Sequence, residues 1–226
     1  MIDEMRYLQT EFIGLSTTIH EKYPNAQQRW SLIVYRDIGD EYVVREFEFE
    51  SDPAKYQQTL ARQVATAGGD FPEAPEQALA KAARLSWRTT DDAAKLAFWV
   101  ADAPYHTENA AAMGTAIKAL ADKSVHVYPV ASSGINEFTE LAMRSTAQLT
   151  GGRYLFLTDD SGVGNSHKEP SIPCYYVTRL DQAMARVIDI EISGVYHGPA
   201  ADQIIRSEGQ PRDGACQREA GTLYAF

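Results

Sequence analysis

What this sequence lacks narrows it first. Cysteine is nearly absent: Cys174 and Cys216 are the only two, each in a Pro- or Gly-flanked stretch, and either one disulfide or two free thiols fits them. No apolar run approaches the roughly 18–20 residues that a helical bilayer crossing requires, so no membrane-spanning segment is expected. Basic excess is missing too. Lys+Arg number 21 against 31 Asp+Glu, a formal net charge of −10, which argues against nucleic acid as a partner because phosphate binding needs clustered cations. The opening residues Met1-Ile2-Asp3-Glu4-Met5-Arg6 are acidic and amphipathic, unlike a secretory signal. The five histidines show no metal-protease spacing, which disfavours zinc. A Gly-x-Ser-x-Gly elbow and a Walker-type loop are also missing, and Gly162-Val163-Gly164 has neither a third glycine nor a helix behind it.

What is there reads as an α/β domain. The chain has 226 residues and 44% apolar content, enough for one full core. Ile2, Met5, Leu8, Phe12, Leu15 and Ile19 recur at helical spacing up to Pro24. Trp30–Arg36 is a short apolar strand, and Tyr42–Glu50 alternates charged and apolar residues from Glu46 on, as an edge strand does; the two form a hairpin. Ser51-Asp52-Pro53 caps a helix, and a second helix opens at Pro72. Strands Lys95–Val100, Val125–Val130 and Arg153–Thr158 then alternate with helices around Glu108–Lys123 and Phe138–Leu149, and a last helix covers Leu180–Ile192. This order predicts a three-layer, doubly wound, mainly parallel sheet with one antiparallel edge strand. Residues 1–197 form the domain, and 198–226 read as a polar, Gly-rich, disordered tail.

Two acidic turns stand out. Gly68-Gly69-Asp70-Phe71-Pro72-Glu73 opens a helix, and the strand Lys95–Val100 runs straight into Ala101-Asp102-Ala103-Pro104. In parallel sheets, ligands sit beyond the carboxyl ends of the strands, so Asp70 and Asp102 suggest one shared cation site. The plainer alternatives are a helix N-terminal residue for Asp70 and a turn former for Asp102. Glu73, His106 and Asp37 are candidates for the rim. Asp159-Asp160-Ser161-Gly162-Val163 also follows a strand, but Pro170 and Pro173 leave no helix behind it, and a surface loop is the preferred reading.

Taken in order, Tyr35-Arg36-Asp37-Ile38-Gly39-Asp40, Gly68–Glu73, the strand ending in Asp102 and Thr150-Gly151-Gly152-Arg153-Tyr154-Leu155-Phe156-Leu157 resemble a von Willebrand factor type A domain of the bacterial type carrying G-G-D-x-P-E. The resemblance implies Mg²⁺ or Mn²⁺ (with Ca²⁺ as a further candidate), held by Asp70 and Asp102 at a metal-ion-dependent adhesion site. It also implies a protein partner that offers a carboxylate to the metal. The family's first motif, D-x-[ST]-x-S after the central strand, has no counterpart here; Met1–Met5 resembles the helix start that comes directly after that motif in the family. The expectation is therefore a fragment, a misassigned start, or a chain completed by a complementing strand from another chain, with weak metal binding or none. By family analogy the cell envelope or exterior is favoured, the signal lying upstream. Alternative functions are a metal-assisted hydrolase with His106 as base, and a metal-independent structural or interaction domain.

Overall fold

Helix α1 (Ile2–Lys22) turns its apolar stripe inward, burying Phe12, Leu15 and Ile19, and it ends at Tyr23 just before Pro24. The computed structural model describes residues 1–65, 71–164, 166–217 and 223–225. Strands β1 (Trp30–Tyr35) and β2 (Val44–Glu50) form an antiparallel hairpin, with Tyr35 opposite Val44 and Trp30 opposite Glu50. Helix α2 (Pro53–Ala61) starts where Asp52 accepts hydrogen bonds from the N–H groups of Ala54 and Lys55. Helix α3 spans Pro75–Ala82, beginning three residues later than the Pro72 start expected from sequence. The intervening residues are tied elsewhere: the Glu73 N–H donates to the Pro104 carbonyl at 2.9 Å, and Glu73 bridges Tyr105.

The centre is a parallel sheet of β3 (Leu96–Ala101), β4 (His126–Ala131) and β5 (Leu155–Phe156), in register from Leu96 opposite His126 to Ala101 opposite Ala131. Helices α4 (Ala110–Ala121) and α5 (Glu137–Thr150) make the crossovers. Side chains alternate with the strand period of two. Trp99 and Ala101 join Leu79, Met113, Leu120 and Met143 from α3, α4 and α5, with Ala97 packed against them. Phe98 and Val130 meet Leu15, Ile19, Met184 and Ile188 from α1 and α6 (Leu180–Ser193). The parallel strands thus carry helices on both faces.

Sequence pattern missed the short strands. Strand β6 (Tyr175–Val177) pairs with β7 (Arg206–Glu208), while β8 (Pro211–Arg212), β9 (Ala215–Gln217) and β10 (Leu223–Ala225) form a small antiparallel sheet. Much of the segment read as a tail is therefore tied to the body. Cys174 and Cys216 form a disulfide that anchors β9 beside β6.

One break in the architecture matters. Among the described residues, strand β1 is paired only with β2 on one side, and β3 only with β4 on its other side. Among the described residues, no backbone hydrogen bond joins β1 to β3. Between them lies a cavity of about 1130 Å³ walled by both strands and by α1 and α6. A side-chain bond crosses it, the Trp99 indole N–H donating to the Tyr35 hydroxyl at 3.0 Å.

Candidate cation site

The carboxyl ends of the parallel strands gather the acidic groups. Asp102 is the first residue after β3, and Ser132-Ser133 are the first after β4. From the opposite direction, α1 begins with Asp3 and Glu4, whose charges suit a helix N-terminus. Glu4 is fully buried. Its Oε1 accepts hydrogen bonds from the Ser133 N–H at 3.2 Å and the Ser133 hydroxyl at 3.0 Å, while its Oε2 lies 2.8 Å from the Met1 ammonium. That ammonium also meets Asp102 Oδ2 at 3.2 Å and Asp3 Oδ1 at 3.8 Å. Burial works to lower its pKa, but the Glu4 and Asp102 carboxylates outweigh burial and hold it above its ordinary value.

His167 completes the pocket from the loop after β5. Its side chain is fully buried, with Nε2 3.9 Å from Glu4 and Nδ1 3.7 Å from Asp159. Among the described residues, neither ring nitrogen has a hydrogen-bond partner, and the buried Ser132 hydroxyl has none either. Ligand atoms of Asp3, Glu4 and His167 lie within 4.8 Å of one another. The donor set fits a divalent cation: carboxylates and hydroxyls suit Mg²⁺, Mn²⁺ or Ca²⁺, and an imidazole tilts the preference towards Mn²⁺. Glu4 forms a closed floor, whereas the Asp102 side chain is 34% exposed and leaves the mouth open.

No family model matches the sequence, and no curated protein matches it. Among solved structures, a chain described as von Willebrand factor type A from Catenulispora acidiphila gives a TM-score of 0.49 at 17% identity, over 69% of this chain and 36% of that one. The chain thus spans little more than a third of that protein's length. An uncharacterized membrane spanning protein from Vibrio fischeri gives a TM-score of 0.27 at 13% identity, over 68% of this chain and 76% of the other. Likeness at this level assigns no activity, so the site is read from its own geometry.

Asp102 stands beside this group through its contact with the Met1 nitrogen and is not one of the three residues whose ligand atoms converge. Asp70 lies outside the described residues. Glu73 is half-buried on the segment stitched to the loop after β3, and Asp102, Glu73 and Glu76 all act on the Tyr35 hydroxyl. That hydroxyl is pushed well above its ordinary value, first by burial and then by these charges, against the opposing Trp99 N–H. His106 Nε2 is 2.6 Å from Asp37 Oδ1, so the rim candidates pair with each other. Asn109 donates to Glu76 at 3.1 Å, and burial raises the Glu76 pKa. In the Asp159–Val163 loop, Asp160 pairs with Arg206 at 3.0 Å and the Ser161 hydroxyl accepts from the Thr158 N–H at 2.9 Å, so both serve local structure.

Glu4, Asp3, Ser132, Ser133 and His167 did not emerge as site residues from sequence. A signal existed for Glu4: it precedes Leu8, Phe12, Leu15 and Ile19 on the stripe that α1 buries, where a carboxylate does not belong. His167 had no such signal, since it sits among Gly, Ser and Pro without periodicity.

Proposed function

We propose that this chain is a divalent-cation-dependent protein-binding module of the von Willebrand type A kind, completed as a doubly wound sheet, and not an enzyme. The observation that carries the reading is the convergence of ligand atoms of Asp3, Glu4 and His167 within 4.8 Å of one another, with Ser133 bonded to Glu4 and Asp102 at the nearby carboxyl end of β3. A fully buried carboxylate beside orphaned imidazole and hydroxyl groups is costly unless a cation satisfies them. Asp102, Glu4, Asp3 and His167 would hold Mg²⁺ or Mn²⁺, with Ser132 and Ser133 oxygens adjoining, and Asp70 is proposed as a further ligand. A bound metal supplies an open coordination position to a partner's carboxylate. The part-exposed mouth at Asp102 gives that carboxylate access.

Thermal unfolding with and without Mn²⁺ or Mg²⁺ tests this. Metal should raise Tm in the parent chain, and Asp102→Ala or Glu4→Gln should abolish the rise while leaving a cooperative transition. A parent chain indifferent to both metals, or an undiminished response in Asp102→Ala, would refute cation dependence. Turnover of generic ester or phosphate substrates would refute the non-enzymatic reading.

A further inference from the structure

The chain carries a formal net charge of −10, yet one small cavity is walled by two arginines and, among the described residues, by no aspartate or glutamate. It measures about 70 Å³ and lies where α6, β5, β6 and the β8–β9 turn meet. Arg186 enters it from the middle of α6, and Arg153 from the residues just before β5. The acids of α6 are all engaged elsewhere. Asp181 accepts from Tyr7 on α1, Asp189 meets Lys22 and Tyr23, and Glu191 bonds His126 and Tyr128 on β4. Arg186 is left beside like charge. Its Nε is buried with no hydrogen-bond partner among the described residues, and the groups that act on its charge are Tyr196, Arg153 and Tyr176. Burial, joined by the Arg153 charge, holds its pKa below the ordinary arginine value against the pull of the two phenols. A guanidinium placed this way is costly until an anion meets it.

Arg153 is positioned on the same cavity. Its guanidinium lies 4.9 Å from the centroid of the Tyr196 ring. Gly214, in the left-handed region at φ +77°, leaves room for that pair: a Cβ there would lie 3.0 Å from Arg153 Nη1 and 3.0 Å from the Tyr196 ring. Two guanidinium forks carried by different elements call for an anion with oxygens in more than one plane. A carboxylate presents one planar pair and suits one fork, whereas a tetrahedral dianion serves both and balances two positive charges. A cavity of this size takes a group of a few heavy atoms. We infer that this pocket binds a small tetrahedral oxyanion, phosphate or sulfate, between Arg153 and Arg186, with Tyr176 and Tyr196 as walls. It shares no residue with the cation cluster, so either site stands or falls without the other.

Calorimetric titration of the full chain with inorganic phosphate, at constant ionic strength and with a chelator present, tests this. Saturable binding at one site is expected. Arg186→Met should abolish it, and Arg153→Met should weaken it about tenfold or more. Arg62→Met, which removes an exposed arginine at the end of α2, should leave it unchanged. Phenyl phosphate separates the sources: competition with inorganic phosphate extends the site to an esterified group, and exclusion restricts it to the free anion, both sustaining it. Absence of saturable binding, or an equal loss in Arg62→Met, overturns the inference. Acetate binding as tightly as phosphate also overturns it, since the ligand would then be a carboxylate. Should Arg186→Met fail to fold, phenylglyoxal labelling of the unmodified chain decides. Phosphate that shields Arg186 but not Arg62 sustains the site, and equal labelling with and without phosphate ends it.

Discussion

At the scale of single residues, the fold places charges where they cost most and then partners them. Tyr7 shows the device away from the cation site: its hydroxyl donates to Asp181 Oδ1 at 2.5 Å, linking α1 to α6. Burial, then that hydrogen bond, push its pKa up from 10.0 to about 12. A raised folded value means that the neutral phenol is the form the fold favours. Its contribution is complete below the unfolded pKa and is lost as pH rises through about 12. Alkaline titration followed at 295 nm should therefore show a late tyrosine step that Tyr7→Phe deletes, and Tyr7→Phe should flatten the loss of stability over the same window. The position of Asp102 directly after β3 was legible in the sequence because an apolar strand stops against it. Glu4 and His167 were not, because their meeting depends on which helix start and which loop share an end of the sheet, a tertiary fact that local spacing does not encode.

Among elements, those with strong periodicity were legible and those supported only by neighbours were not. Strands β3 and β4 announce themselves as apolar runs, and α5 by Asn136 before it and Gly151 after it, the latter in the left-handed region at φ +78°. Strands β6 and β7 have three residues each and exist through mutual pairing, so no pattern of period two can build up. The join between α5 and β4 is tight. Thr150 Oγ1 accepts from the Val127 N–H at 3.0 Å, and a Cβ on Gly152 would lie 1.9 Å from the Val127 carbonyl oxygen. Backbone cannot yield there without parting α5 from the sheet. Gly152→Ala should cost about 3 kcal/mol in chemical denaturation. Gly164→Ala, where an added Cβ meets nothing within 4 Å, should stay within about 0.5 kcal/mol of the parent.

For the whole molecule, a disulfide and a set of polar contacts tie distant parts of the chain. The Cys174–Cys216 disulfide closes a loop of sequence separation 42, and replacing both cysteines by serine should lower unfolding free energy by about 2–4 kcal/mol, read from denaturant midpoints. Along the other side, Lys22 and Tyr23 at the end of α1 both bind Asp189 on α6. Among the described residues, the hairpin of β1 and β2, by contrast, joins the parallel sheet through side chains and helices, so the molecule's cooperativity passes through the packing of α1 and α3. One consequence is optical. The three tryptophans of the sequence, Trp30, Trp87 and Trp99, all line the space between β1 and β3. Tryptophan emission, excited at about 295 nm to leave the tyrosines out, therefore originates at one seam, and a melt followed by it watches the hairpin part from the sheet while remaining blind to the disulfide-bound end.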